Sequence, residues 1–508
     1  MSRFLEISKG IVEDFLQTAV FLDDRAFFPN ENGTNGIAFS STTEIEDPVT
    51  GEITTIPTPQ VSEQNEHDLN AKTIIDTFMQ KGIVCSVIKC EESTFDAQRS
   101  NYLKLMKKAD IIVLDWDLFS DGGEKIVGII KDLMSADEQL HELRSIVVYT
   151  ANDLETVKAR FETEGLTFED YLSHNKRYTA ISLWNKNSSI ISSDRKANFT
   201  EIVDKCIDEF TETFHGIVPN VAMAAIAEVR KNTHKFLGKL NQSLDPAYLS
   251  HRSLLETPDE AEEHLEEIII DEIDSILKTN KVGENAKFEI IQHANILQNK
   301  TYRSKDFKKC IENGTEKEYI KGKNTTQKKA DLAADVKECF TSKWFDNVEL
   351  SNKSETDYAV ISSQISNYGK PSHLTLGVIV EFENNKYLCL QPRCDSVRLK
   401  RKTEFIFVKL TPDENIFDVI LNDGSKFKLQ YGLKNRQYFS FTPNENNKVM
   451  FSDFKNIQET KEFKYITTLK KSHAQRIANE FSAYISRIGL NESEYIRRNS
   501  PRTLAGKL

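Results

Sequence analysis

Short apolar runs alternate with amphipathic stretches over the first two hundred residues. The apolar runs predict five strands, at residues 19–22, 83–88, 111–114, 146–149 and 179–184. Apolar residues spaced three and four apart predict helices at residues 67–80, 97–108, 124–143, 153–164 and 199–214. This alternation predicts an α/β fold, in which a five-stranded parallel sheet is covered by helices on both faces.

Residues 28–66 interrupt the alternating pattern between the first predicted strand and the first helix. They are rich in Asn, Thr, Pro and Glu, and the sequence from Asp47 to Gly51 has turn chemistry. We interpret this segment as a loop insertion whose composition also suits a small hairpin.

The pattern changes twice after residue 216. Residues 217–350 are strongly charged and mainly helical in pattern, whereas strand patterns dominate from about residue 355 and a helix at 468–488 follows. The turn sequences at 383–386 and 422–424 predict hairpins. We therefore predict three segments: residues 1–216, a helical segment at 217–350, and a mainly β domain with a terminal helix at 351–508.

Charge is distributed unevenly along the 508 residues. The net charge is −12, but residues 351–508 hold 25 Lys and Arg against 17 Asp and Glu, a net charge of +8, which leaves −20 for residues 1–350. The acidic charge of residues 1–350 disfavours polyanionic partners. No apolar run approaches the length of a membrane span, and seven scattered cysteines suit a reducing compartment, so we expect a cytoplasmic protein without a membrane partner.

Polar side chains that can bind a metal or take part in a reaction follow the predicted strands of the first segment. Carboxyl ends of parallel strands share one edge of a sheet, where binding sites collect. Six such side chains lie there: Asp23, Asp24, Asp115, Asp117, Thr150 and Lys186.

These residue types suit phosphoryl chemistry in the presence of a metal ion. Two carboxylates about 4 Å apart repel by roughly 4 kcal/mol at an effective dielectric of about 20, so the cluster requires a cation. Oxygen ligands favour Mg²⁺. A carboxylate such as Asp115 can then accept a phosphoryl group, while a hydroxyl such as Thr150 and an ammonium such as Lys186 stabilise its oxygens.

Four motifs resemble the bacterial response-regulator receiver domain. They are Phe21–Asp24, Ala109–Asp117, Val147–Ala151 and the lysine Lys186. The resemblance covers about 200 residues, and it implies a flavodoxin-like, doubly wound parallel sheet. It also implies a signalling protein with no enzymatic activity beyond loss of its own phosphoryl group.

The resemblance also implies a role for each site residue. Asp23 and Asp24 would position Mg²⁺, Asp115 would accept the phosphoryl group, and the Asp117 main-chain carbonyl would complete the metal site. Thr150 and Lys186 would contact the phosphoryl oxygens. The implied partners are a histidine kinase or a phosphotransfer protein, together with an effector protein or a second copy of the chain.

The chain departs from the family pattern at three places. The insertion at 28–66 is far longer than the usual loop, Asn187 replaces the usual proline after the lysine, and Leu183 replaces an aromatic residue. The expected acceptor site is complete. The usual conformational switch, which couples the threonine to the aromatic residue, is in question with Leu183 in the aromatic position. Receivers of this atypical kind resemble components of bacterial phage-defence phosphorelays.

A phosphatase is the main alternative. The sequence from Ile111 to Asp117 also resembles the first motif of haloacid-dehalogenase-type phosphatases, with Asp115 as nucleophile and Asp117 as acid and base. That family places its metal-binding acidic pair after the lysine. The candidates here, Asp194 and the pair Asp271 and Asp274, are predicted in a polar loop and on a helix.

Nucleic-acid binding by the C-terminal domain is a second alternative, under control of phosphorylation. Basic residues there lie close to aromatic ones, a pattern that can grip phosphates and stack bases. The residues are Arg393, Arg398, Lys400, Arg401, Lys402, Phe405 and Phe407. The same alternation is typical of a β domain with a charged surface, so we expect weak nucleic-acid binding at most.

Overall fold

The structure is a computed structural model with two compact units. It describes residues 3–28, 38–46, 53–60, 69–140, 143–168, 172–175, 179–186, 195–256, 258, 260–285, 348–366, 373–414, 416–430, 435–451, 455–456 and 461–485. The first unit comprises residues 1–245 and 265–294, and the second comprises 246–264 and 295–508. The three-segment division made from the sequence stays a prediction.

The first unit is built on a sheet whose five central strands are those predicted. Their order is β4-β1-β5-β6-β8, all parallel, and the short strands β7 and β9 both pair with β8, β7 antiparallel and β9 parallel. The insertion carries a separate antiparallel hairpin, β2–β3. The strands of this unit are β1 (Thr18–Asp23), β2 (Ala38–Glu46), β3 (Ile53–Gln60), β4 (Val84–Lys89), β5 (Ile111–Asp115), β6 (Arg144–Thr150), β7 (Leu172–Asn175), β8 (Thr179–Lys186) and β9 (Lys196–Ala197).

Helices cover both faces of this sheet, as the alternating pattern predicted. The helices up to residue 285 are α1 (Arg3–Phe15), α2 (Ala71–Gln80), α3 (Phe95–Met106), α4 (Glu124–Leu140), α5 (Leu154–Thr163), α6 (Ile202–Phe214), α7 (Ile217–Lys239), α8 (Asp245–Leu254), α9 (Glu260–Thr279) and α10 (Val282–Asn285). Alternate residues of β1 enter opposite cores, because successive side chains of a strand point to opposite faces. Phe21 packs with α1, α2 and α6, whereas Leu22 packs with α3, α4 and α5.

Helix α7 packs against α1 in the first unit. The buried Asn220 side chain of α7 donates a 2.9 Å hydrogen bond to the Ser8 hydroxyl of α1. Arg230, nearly three turns further along α7, donates to the Phe15 carbonyl at 2.8 Å. These polar contacts fix the register of the two helices beside the sheet.

The second unit contains an antiparallel sheet with a core on each side. Its strand order is β13-β14-β12-β11-β10-β18, with β15 also paired to β12. Terminal helix α12 packs on one core through Ile477 and Phe481, and the other core is rich in Phe and Tyr. Its elements are α11 (Val348–Ser363), β10 (Val378–Phe382), β11 (Asn385–Cys389), β12 (Thr403–Pro412), β13 (Val419–Ile420), β14 (Lys426–Leu429), β15 (Arg436–Phe441), β16 (Lys455–Asn456), β17 (Lys461–Glu462), β18 (Lys464–Thr468) and α12 (Lys471–Ile485). Among the helices that the structure describes, none is both long enough and apolar enough to cross a membrane.

Candidate functional site

Four parallel strands end at one edge of the first sheet, and each carries a predicted site residue there. Leu22 of β1 is level with Leu114 of β5, so Asp23 and Asp115 follow side by side. Asp115 is in turn level with Tyr149, directly before Thr150. Lys186 is the last residue of β8. The sheet register therefore brings together residues that are up to 163 positions apart in the chain.

The carboxylates of Asp23, Asp24 and Asp115 form one cluster. An oxygen from each lies within 4.8 Å of the others, with Asp23 and Asp115 buried and Asp24 half-buried. Asp23 Oδ1 accepts the Arg25 amide at 2.7 Å, and Asp24 Oδ2 accepts the Phe119 amide at 3.0 Å. Asp24 Oδ1 is buried and has no hydrogen-bond partner among the residues that the structure describes. Backbone amides thus orient two of the carboxylates while one buried oxygen stays unsatisfied.

Lys186 supplies the positive charge within this cluster. Its Nζ lies 3.1 Å from Asp23 Oδ2 and 3.0 Å from Asp115 Oδ2, and the side chain is buried. Burial lowers the pKa of Lys186, but Asp115 and Asp23 raise it further, so the net shift is upward. The ammonium also lies over the Tyr149 ring, 5.7 Å from its centroid, a favourable cation–π position. Lys186 is therefore a fixed cation at the site.

The pKa of the Asp115 carboxyl is shifted by its surroundings. Burial raises its pKa to about 6, Lys186 opposes that rise, and Asp23 and Asp24 add to it. One ammonium does not compensate for burial and two neighbouring carboxylates. The site consequently favours the binding of an additional cation.

The donor set fits Mg²⁺. Three carboxylates at one edge offer the hard oxygen ligands that this ion prefers, and the unsatisfied Asp24 oxygen provides a vacant acceptor. Asp117 lies two residues after β5, where its carbonyl accepts the Ser120 amide at 3.3 Å. Its carboxylate accepts the Gly122 amide at 3.0 Å. The role of the Asp117 carbonyl as a metal ligand stays a prediction.

Thr150 is fully buried at the end of β6. Its hydroxyl accepts the Asn152 amide at 3.0 Å, which leaves the hydroxyl proton available to an acceptor in the site. The buried Asn185 side chain donates to the Asn152 carbonyl at 2.9 Å, so β8 also fixes the loop that follows Thr150. The hydroxyl therefore sits in a firmly held turn.

A tight loop follows β5 and shapes one side of the site. Phe119 and Ser120 adopt positive φ values of 57° and 60°, which cost energy for residues with a Cβ. Gly123, at φ 89°, lies so close to the Trp116 ring that a Cβ would be 2.2 Å from it. The loop conformation aims the Phe119 amide at Asp24. Sequence analysis did not identify this amide, because a main-chain donor leaves no side-chain signal.

Tyr149 is a second residue that sequence analysis did not assign to the site. Its hydroxyl donates to the Ala197 carbonyl at 2.7 Å, and Ala197 belongs to β9, which pairs with Lys186. Its only sequence signal is its position directly before Thr150. Leu183, in contrast, lies fully buried in the core on the other face of the sheet. Asn187 lies outside the described residues.

The residues proposed for the alternatives lie elsewhere. Asp271 and Asp274 are on helix α9, as expected, and they do not join the carboxylate cluster. Asp194 lies outside the described residues. Phe405 and Phe407 are fully buried in the core of the second unit, so they cannot stack nucleic-acid bases in this conformation.

Comparison with known proteins agrees with this geometry. Residues 15–198 match the family model of the response receiver domain, so this part of the chain is a receiver domain. Searches of curated proteins and of solved structures found no significant match. The matched range contains all the strands of the first sheet, and the match supports a response-regulator-like function.

Proposed function

We propose that this protein accepts a phosphoryl group on Asp115 in a Mg²⁺-dependent reaction and serves as a signalling relay or phosphate sink. The observation that carries the proposal is the Asp23, Asp24 and Asp115 cluster with Lys186 ion-paired inside it. The receiver match over residues 15–198 supports the same chemistry.

Each residue of the site has a task in the transfer. An Asp115 carboxylate oxygen attacks phosphorus and forms an acyl phosphate, while the bond from phosphorus to the donor's leaving atom breaks. Asp23 and Asp24, with Asp115 and the Asp117 carbonyl, would hold Mg²⁺. The ion, when bound, neutralises charge on the phosphoryl oxygens.

Lys186 and Thr150 complete the stabilisation of the phosphoryl group. The Lys186 ammonium is already 3.0 Å from Asp115, so a short movement pairs it with an Asp115-bound phosphoryl oxygen. The Thr150 hydroxyl can donate to another of these oxygens. We propose a histidine kinase or phosphotransfer protein as donor, in a cytoplasmic pathway, with an effector protein or a second copy as the receiving partner. A role in an antiviral phosphorelay rests only on the sequence resemblance.

Phosphoryl uptake from acetyl phosphate tests the proposal directly. Wild-type protein should become labelled with Mg²⁺ and not with EDTA, and Asp115→Asn should abolish the labelling because the amide is a poor nucleophile. Asp132→Asn, an exposed aspartate on α4 paired with Arg99, is the matched control and should label normally. Undiminished, base-labile labelling of Asp115→Asn would overturn the assignment.

Turnover of an aryl phosphate separates this function from the phosphatase alternative. A phosphatase requires Asp117 as a proton donor, whereas the proposed receiver requires mainly its carbonyl. We therefore expect no sustained hydrolysis by wild-type protein and normal labelling of Asp117→Asn. Many turnovers per minute that disappear in Asp117→Asn would favour the phosphatase instead. The small Ala151 leaves water access to phosphorus, so the acyl phosphate should decay without a partner.

A further inference from the structure

The second unit presents a basic face that the phosphoryl-accepting site does not use. It consists of four side chains: Arg393, Arg398, Lys400 and Lys448. Three of them pair with one acidic segment. Burial lowers the pKa of His373, and Lys448 and Arg393 both lie close enough to that side chain to lower its pKa further. Exposed Arg401 and Lys402 follow directly in the chain. Concentrated positive charge of this kind is typical of a surface that binds phosphate-rich polymers.

An acidic segment of the same unit lies against the basic face. We define this acidic segment by Glu256, Glu260 and Glu263, at the end of α8 and the start of α9. Glu260 pairs with Arg398 through both carboxylate oxygens, and Glu256 pairs with Lys400.

Glu263 completes the contact with a third ion pair. Its Oε1 lies 2.5 Å from the Nζ of Lys448. Three glutamates within eight residues thus meet three cations that come from two separate loops of the sheet domain. A bidentate arginine pair has the same geometry with a carboxylate as with a phosphate.

The three ion pairs differ in exposure, and each keeps one side open to solvent. Ala261, between two of the glutamates, is 1% exposed, so the segment is packed at this point. The side chains of Lys400 and Glu256 are 75% and 55% exposed, so their ion pair contributes little. The Arg398 side chain is 41% exposed against 17% for Glu260. The Glu263 side chain is 50% exposed against 13% for Lys448. A competing polyanion can therefore reach each pair from the solvent side and replace its carboxylate.

We propose that the acidic segment is an intramolecular cover over a nucleic-acid-binding face formed by Arg393, Arg398, Lys400 and Lys448. In the covered chain the carboxylates occupy positions that phosphates of the nucleic acid would take. Weak binding by the intact protein is then a consequence of the cover as well as of the net negative charge of residues 1–350. The Phe residues behind the face are buried, so recognition is through the phosphate backbone.

A charge-neutral triple variant tests the cover in the full-length chain. Glu256→Gln, Glu260→Gln and Glu263→Gln together remove the three carboxylates while keeping side-chain size. The probe is a fluorescein-labelled 30-base DNA duplex, measured by anisotropy between about 50 and 200 mM salt. Each freed cation that contacts a phosphate steepens the logarithmic salt dependence by about 0.9, so three should steepen it by about 2.7 and tighten binding at least tenfold.

A second triple variant controls for net charge alone. Glu92→Gln, Glu266→Gln and Asp271→Asn remove the same charge from exposed positions outside the acidic segment. This control should bind DNA as weakly as wild type. Circular dichroism of both variants checks that they are folded, and Arg398→Gln added to the first triple variant should reverse its gain.

Three results would overturn the proposal. Equal gains in both triple variants would show an effect of net charge, and no gain in either would show that the face does not bind DNA. Capture of a synthetic peptide with the sequence of residues 254–266 by the first variant, without DNA binding, would show that the face recognises acidic protein instead.

Discussion

Removal of the Lys186 ammonium should destabilise the metal-free protein strongly. Lys186→Met keeps an unbranched side chain of similar length and leaves Asp23 and Asp115 buried without their counter-charge. Breaking one side of a buried ion pair typically costs about 3–5 kcal/mol in the free energy of unfolding. We expect a loss in that range in EDTA at pH 8, where Asp115, with a pKa of about 6, is ionised.

The loss should shrink as the pH falls. Lys186 holds the Asp115 pKa down, so its removal raises that pKa further above its value in the unfolded chain. A carboxyl whose pKa is raised on folding contributes stability at low pH that is lost as the pH rises through the folded-state pKa. The difference between wild type and Lys186→Met should therefore be largest at pH 8 and decrease toward pH 5. Millimolar Mg²⁺ should stabilise the variant more than wild type, because it supplies the missing positive charge.

Urea unfolding followed by tryptophan fluorescence measures these effects. Trp116 and Trp184 both lie buried in the first unit. The reference protein and each variant would carry Trp344→Phe, so that only these two tryptophans report on unfolding. Lys131→Met is the matched control, since its ion pair with Glu164 is exposed and should matter much less. If Lys186→Met loses no more stability than this control in EDTA at pH 8, the Lys186 ammonium is not the buried counter-charge of Asp23 and Asp115.

Three further substitutions test other parts of the structure by the same unfolding measurement or by circular dichroism. Gly123→Ala should lower the free energy of unfolding by about 2–4 kcal/mol, because the new Cβ clashes with the Trp116 ring and φ is positive. Gly122→Ala also has a positive φ but lies in open space, so it should lower that free energy by about 1 kcal/mol. Equal losses would contradict the packing of this loop. Tyr149→Phe should lose about 1–3 kcal/mol by leaving the Ala197 carbonyl unsatisfied, and should slow labelling of Asp115; unchanged stability and labelling would exclude a positioning role. Phe405→Ala should lower the free energy of unfolding by about 3–5 kcal/mol, because it leaves a cavity in the core. Phe417→Ala removes a partly exposed ring and should lower it much less. The reverse order would place Phe405 at the surface.

The sequence by itself determined the alternation of strands and helices and the location of the acceptor edge. Apolar runs such as residues 111–114 are short and bounded, and the side chains that follow them carry the chemistry, so the local pattern was sufficient. Parallel strands have their carboxyl ends at one edge of a sheet. The residues at those ends, Asp23, Asp115 and Lys186, were therefore expected to lie close together. The structure brings all three into contact distance through Lys186.

Only the tertiary structure decided which backbone groups complete the acceptor site and which distant charges pair on the basic face. The Phe119 amide on Asp24 depends on the positive φ values of one loop, and Tyr149 acts through a carbonyl 48 residues away. Short strands β7 and β9 exist because β8 offers edges to pair with, since their own sequences are too brief to carry a pattern. The pairing of Glu260 with Arg398 joins residues 138 positions apart. Charge counts along the chain cannot predict it, because ion pairing depends on where the folded backbone places each side chain.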